Sequence, residues 1–347
     1  MPLSISSSNT AGSSTSRPPS WRWSTTWALT LVVATAIVAA AEIHWRALGY
    51  VPNIRDSSEL WSIQRDRVYA TGKKPLLLLG ASRIEFAIDT KRLTQLLPRY
   101  QPVMLAQNAH YPLATLRDLA NDERFHGVVL CDIDSGGLYK MYTDMQQPLV
   151  DYYHRQWSPS WHLHRLLLTA WQRHAVAADP DLGAVAVVLR LLGGTAPPRP
   201  DYIALHADRS GDIDYTRTDP AAAKRHFEEL LARGSELRAL VAPDAWFADL
   251  QQVYDWTKRI DARGGKVIFY QSPTSGAVRD VDIVAHPHAA YWDRFVANSP
   301  AAVLDAASDP KLSGFSLPDG SHLDFRDKAA YTSALAEALL SRKLLEP

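Results

Sequence analysis

One cysteine is all that this sequence contains, so no intrachain disulfide can form. That residue, Cys131, closes the apolar run Gly127-Val128-Val129-Leu130-Cys131 and reads as a buried structural thiol rather than a nucleophile. Net charge is missing too: 37 Lys and Arg balance 37 Asp and Glu over 347 residues. A neutral chain carries no electrostatic footprint for nucleic acid, and none is expected as a partner. No spaced Cys/His set matches a zinc site, and no Gly-rich phosphate loop of the usual pattern follows the first apolar strand. No internal repeat is visible. The length leaves room for one large domain or two small ones.

What is present begins with a non-globular segment. Residues 1–24 are rich in Ser and Thr, hold Arg17 and Arg22 and have no acidic residue, the composition of a disordered tail. Residues 25–44 are uncharged up to Glu42 and approach the ~20 apolar residues that a spanning helix needs. Basic residues before the run favour a cytoplasmic tail and an exported body. Ala39-Ala40-Ala41 also fits a signal-peptide cleavage site, but the long tail before the run favours an uncleaved anchor. Residues 45–72 read as a charged, aromatic-containing connector, with a short amphipathic helix at 59–67.

From residue 73 the pattern changes. Residues 75–79 form a continuous apolar run closed by Gly80, as in a strand buried on both faces. Asp89 can cap a helix that stops before Pro98. A second strand at 103–106, a helix at 113–119 and a third strand at 127–133 follow. Farther on, a helix capped by Asp244 carries Trp246, Phe247, Leu250, Val253 and Trp256 at helical spacing. Gly264-Gly265 ends it, residues 266–270 form another strand, and a helix at 328–340 closes the chain. This alternation predicts an α/β fold: three α/β/α layers around a mostly parallel sheet. Residues 138–240 break the rhythm and read as a helical insertion or lid. Its apolar stretch 182–192 is too short to span a membrane; it could lie against a membrane surface, but packing beneath the insertion is the expectation.

Two pieces carry chemistry. Ser82 follows the first buried strand and precedes a helix, so its hydroxyl should face the crevice beyond the strand ends, near backbone N–H donors. Far downstream, Asp319 and His322 lie on one short loop, Pro318-Asp319-Gly320-Ser321-His322-Leu323-Asp324. An acid that orients an imidazole, with a hydroxyl on its other nitrogen, is the arrangement that activates a serine. Asp324 and Asp327 are rival orienters by proximity. Asp132 and Asp134, at the end of the third strand, can reach the same crevice. Arg83 and Glu85 could pair with each other or with a substrate, but the solvated reading is the default for exposed charges.

Gly80-Ala81-Ser82 near the start of an α/β domain, with Asp319-x-x-His322 before the last helix, resembles the SGNH (GDSL-type) hydrolase superfamily. The resemblance spans roughly residues 73–343, interrupted by the insertion. Membrane-anchored bacterial members include proteins that O-acetylate cell-surface polysaccharides. The resemblance implies Ser82 as nucleophile, His322 as base, Asp319 as its orienter and the Ser82 N–H as one oxyanion donor. It also implies donors from a Gly after the second strand and an Asn after a later strand. This sequence has Gln107-Asn108-Ala109-His110 and Gln271-Ser272-Pro273 at those places, which leaves Asn108 as the first candidate side-chain donor and Gln271 as the second.

On this basis an esterase or O-acyltransferase of cell-envelope glycans or lipids is expected, single-pass in the bacterial inner membrane with its body periplasmic or extracellular. A multi-span membrane acyltransferase is an expected partner. No cofactor or metal is implied. The alternative is a catalytically degenerate member of the same fold that assists polysaccharide modification or export.

Overall fold

The computed structural model describes residues 20–70, 72–196, 198–238 and 241–347. Most of the expected tail, residues 1–19, lies outside the described residues. The chain divides after Gly49 into two units. The described part of the first is essentially one helix, α1 (Ser20–Ala47), so residues 20–24 are helical rather than part of a tail. Its stretch Trp23–Ala47 is 25 residues long and apolar enough to cross a membrane.

The second unit, Tyr50–Pro347, is built on a five-stranded parallel sheet. Its strands are β1 (Lys74–Leu79), β2 (Tyr100–Met104), β3 (Val128–Asp132), β6 (Lys266–Gln271) and β7 (Ala302–Asp305), in the order β2-β1-β3-β6-β7. A two-stranded antiparallel hairpin, β4 (Ile203–Leu205) and β5 (Gly211–Ile213), stands apart. The helices are α2 (Ser58–Arg67), α3 (Ser82–Ala87), α4 (Thr90–Leu96), α5 (Leu113–Asn121), α6 (Gln147–Arg155), α7 (Pro159–Gln172) and α8 (Ala184–Gly193). After them come α9 (Pro220–Arg238), α10 (Pro243–Asp249), α11 (Gln251–Asp261), α12 (Gly276–Ala285), α13 (Trp292–Asn298), α14 (Pro310–Ser313) and α15 (Lys328–Ser341).

The leucine run explains the layering. Leu76 to Leu79 are all fully buried, and each contributes about 1.5–3 kcal/mol when removed from water. A strand alternates its side chains, so both faces must be covered. Leu77 and Leu79 pack with α2, α5, α6, α10, α11 and α13. Leu76 and Leu78 pack with α3, α4, α14 and α15. Cys131 lies within the first of these cores, and burial pushes its thiol far above the ordinary value. The expected α/β/α arrangement is therefore present. Asp89 caps α4 as expected, accepting from the Lys91 and Arg92 amides at 3.0 and 2.9 Å.

Several expectations need correction. The short helix expected at 59–67 is present as α2, but the stretch is no mere connector: Trp61 and Arg65 are fully buried in the body. Arg65 bridges to Asp118 and Asp122 at 3.0 and 2.9 Å, fastening α2 to α5. The helix expected from Asp244 divides at Leu250 into α10 and α11. Pro243 begins α10, Asp244 makes no capping bond, and its carboxylate pairs with Arg294 at 2.8 Å. The insertion contains the β4–β5 hairpin besides helices. Leu182 is buried, but helix α8 buries none of its residues, so most of the stretch 182–192 does not pack beneath the insertion.

The hairpin is bolted to the body by Arg209, which is fully buried. Its guanidinium pairs with both oxygens of Asp56, at 2.8 and 2.7 Å, and donates to the Ala106 carbonyl at 2.7 Å. Glu85 lies 4.0 Å away, neither exposed nor solvated as the sequence suggested. Burial pushes Glu85 up to about 8, against the attraction of Arg209. Below the ordinary value of 4.5 both folded and unfolded chains hold this proton; between 4.5 and about 8 only the folded chain does. Stability is therefore lost as pH rises through that window. Glu85→Gln should flatten the slope and stabilise the protein at pH 8 by about 1 kcal/mol or more. Urea unfolding at pH 5 and pH 8 measures this; an unchanged slope would rule Glu85 out as its source.

Candidate active site

In a parallel sheet of this order the chain leaves β1 toward β2 on one side and β3 on the other. That reversal opens a crevice at the carboxyl ends of the strands. Gly80 lines the crevice with φ +153°, and a Cβ there would meet Ile84 Cγ2 at 2.6 Å and Asp132 Cβ at 2.9 Å. Only glycine lets β1 turn so close to β3. Ser82 then opens α3, where first-turn amides have no helical acceptor.

Asp319 and His322 come from the loop between α14 and α15. Asp319 Oδ1 accepts from the Ser321 and His322 amides, both at 2.8 Å, folding the loop around the carboxylate. Gly320 makes the turn at φ +85°, and its carbonyl accepts from the Ser275 amide at 2.9 Å. A Cβ on Gly320 would meet the Ser275 carbonyl at 2.8 Å. The imidazole Nδ1 lies 2.7 Å from Asp319 Oδ2, and Nε2 lies 2.7 Å from Ser82 Oγ. The structure thus joins Ser82, His322 and Asp319 in one hydrogen-bonded chain. The rivals are elsewhere: Asp324 pairs with Arg326 at 2.6 Å, and Asp327 stands at the start of α15 with no capping bond.

Burial alone would raise Asp319, but the His322 imidazole and two amides outweigh it and hold the carboxyl at about 2. The acid is therefore ionised at neutral pH, the form that orients an imidazole and stabilises its cation. Phe86 and Phe227 flank the ring edge-on, with centroids 6.2 and 5.4 Å away.

Beside Ser82 lies a cavity of about 300 Å³. Tyr111, Tyr142, Met145, Phe227 and Leu230 form apolar walls, and Arg83, Asp132 and Asp134 supply charge. Arg83 pairs with Asp134 at 2.7 Å and donates to Ser321 Oγ at 3.0 Å, so it is bound rather than solvated. Burial pushes Asp132 up to about 6, against Arg83 and a hydrogen bond from the Ser272 amide. Burial acts likewise on Asp134, but Arg83 prevails and holds it below the ordinary value. A larger cleft of about 550 Å³, around Thr90, Asp208 and Lys328, includes none of the three joined residues.

The expected side-chain donors do not line the cavity. Asn108 is exposed, and Gln271 ends β6 away from the lining. The cavity instead meets Ala109, whose φ of +62° is a left-handed conformation uncommon for a residue with a Cβ. This turn follows β2, where the resembling family places its glycine. The sequence reading also missed Gln146. It is fully buried, and its amide nitrogen donates to the Gly80 and His110 carbonyls, both at 3.1 Å. Its amide oxygen accepts from Thr115 Oγ1 at 2.5 Å. One side chain from the insertion thereby clamps the turn before Ser82 to the turn after β2. Nothing in the sequence marks Gln146, since its partners are 36 and 66 residues away.

Comparison with protein-family models and with curated proteins finds no match for this chain.

Gln146→Leu would leave the part-buried His110 carbonyl and the buried Thr115 hydroxyl without this partner. It should cost about 1–3 kcal/mol of stability. Denaturant unfolding beside the parent checks this; no measurable loss would mean the clamp is idle.

Proposed function

We propose that this chain is a serine acyl-transfer enzyme of SGNH type, acting on acyl esters of cell-envelope glycans or lipids. The observation that carries the reading is the unbroken Ser82–His322–Asp319 hydrogen-bond chain at the mouth of a partly apolar cavity. Ser82 Oγ attacks the ester carbonyl while His322 Nε2 takes its proton, and Asp319 stabilises the imidazolium. The Ser82 amide would face the developing oxyanion, and the Ala109 turn, which lines the same cavity, offers a second backbone. His322 then returns the proton to the departing alkoxide, leaving an acyl-serine. Water as acceptor makes an esterase; a sugar hydroxyl makes an O-acyltransferase.

The reading extends to location. An uncleaved α1 would anchor the chain in a bacterial inner membrane, and Arg17 and Arg22 before it favour an exported body. An acyl donor on that side would come from a multi-span membrane acyltransferase. A second reading, a catalytically degenerate scaffold, is favoured by one observation: neither Asn108 nor Gln271 lines the cavity. Loss of one oxyanion donor costs about 10²–10³ in rate.

A fluorophosphonate probe on the full chain in detergent separates the two. The enzyme should carry the adduct on Ser82 by mass spectrometry. Ser82→Ala should abolish it and His322→Ala should nearly do so. Asp319→Asn should slow it by up to about 10⁴. A folded chain that takes no label would favour the scaffold.

A further inference from the structure

We infer that the insertion carries a membrane-docking surface: the outward faces of α7 and α8 lie in the interfacial zone of an anionic bilayer. This goes beyond the acyl-transfer reading and rests on α1 crossing a membrane.

Helix α7 is built inside out. Its buried residues are Arg165, Thr169 and Gln172. Its exposed arc holds Leu163, Leu166, Leu167 and Trp171, between 49 and 65% exposed. A helix in water turns such an arc inward, at ~100° or more of its circumference. Helix α8 repeats the pattern with no buried residue; Val185, Leu189, Leu191 and Leu192 are 63 to 81% exposed. Its one charge, Arg190, folds back onto the Asp181 carbonyl. Apolar faces of this size on a soluble body mark a contact surface.

Three observations commit the occupant to lipid. First, the residues that follow α1 are fastened to these helices. The Tyr50 hydroxyl donates to the Pro198 carbonyl, after α8. Arg55 pairs with Asp179, between the helices, at 2.5 Å and with Asp201 at 3.0 Å. From within α7, Arg165 donates to the Arg55 carbonyl at 2.6 Å. Second, only three residues take the chain from Ala47, the end of α1, to Tyr50, a reach of about 10–11 Å. A spanning α1 therefore tethers Tyr50 within that reach of its own end. Third, residues 151–201 hold five arginines and four aspartates; Arg165 is buried, whereas Arg155, Arg173 and Arg199 are exposed. Asp179, Asp181 and Asp201 lie within 3.7 Å of Arg55, and Asp151 lies 3.6 Å from Arg155. This leaves exposed Arg173, at the end of α7, and exposed Arg199, after α8, as basic groups suited to anionic headgroups.

The test uses the full chain in nanodiscs containing phosphatidylglycerol. Single cysteines at Leu166, Leu189, Val33 and Glu337 carry an environment-sensitive fluorophore; Cys131 is buried and stays unlabelled. The lipids carry a nitroxide high on the acyl chain. Probes at Leu166 and Leu189 should lose intensity about twofold, as expected for side chains ~5–10 Å deep. Val33 in α1 should be quenched and exposed Glu337 should not. If Val33 is quenched while Leu166 and Leu189 match Glu337, the anchor stands and docking is wrong. If Val33 is not quenched, the anchor fails and takes the inference with it. Blue-shifted Leu189 emission that grows with protein concentration and ignores the nitroxide would assign the face to a second copy and overturn lipid docking.

Discussion

Strand β1 can approach β3 only because Gly80 has no side chain. Any Cβ at that position would enter the Asp132 backbone and side chain. The approach sets the geometry of the crevice. It places Ser82 on the first turn of α3 and brings Asp132 and Asp134 to the same rim. The four leucines behind Gly80 make that approach rigid, because they are sealed between two helical layers.

Onto this edge the last loop of the chain delivers an acid and an imidazole. The Asp319 carboxylate shapes the loop through two amides and orients His322 with its other oxygen. One side chain thus performs a folding task and a chemical one. The same economy is visible in Arg83, which holds Asp134 and reaches Ser321 beside His322. The charges around Ser82 are consumed by one another, and the space left for a ligand is largely apolar.

The insertion has two faces with different duties. Inward, it supplies Gln146 to clamp the turns that border the site and Phe227 to cover the imidazole. Outward, α7 and α8 present leucine and tryptophan where a soluble protein would present charge. The proposed bilayer contact resolves that inversion. The proposed acyl-transfer reading of the site and the proposed membrane-surface reading of the insertion are compatible.

Legibility in the sequence followed the range of the interaction. The apolar run of β1, the Asp89 cap and the closing helix are local patterns, and each stands near its expected position. The Asp319–His322 contact was legible for the same reason: three residues of loop span it. β7 escaped because its four residues carry no clear period; α2 was legible as a short helix, but its buried Arg65 hid that it belongs to the core. The composition and local spacing by themselves determined an α/β chain with one long apolar helix, a serine beyond a buried strand and an acid–imidazole loop. Only the tertiary structure decided that Ser82 meets His322 across 240 residues, that Arg83 belongs to Asp134, and that α8 faces outward. Contacts between distant segments depend on how layers stack, and no local periodicity encodes that stacking.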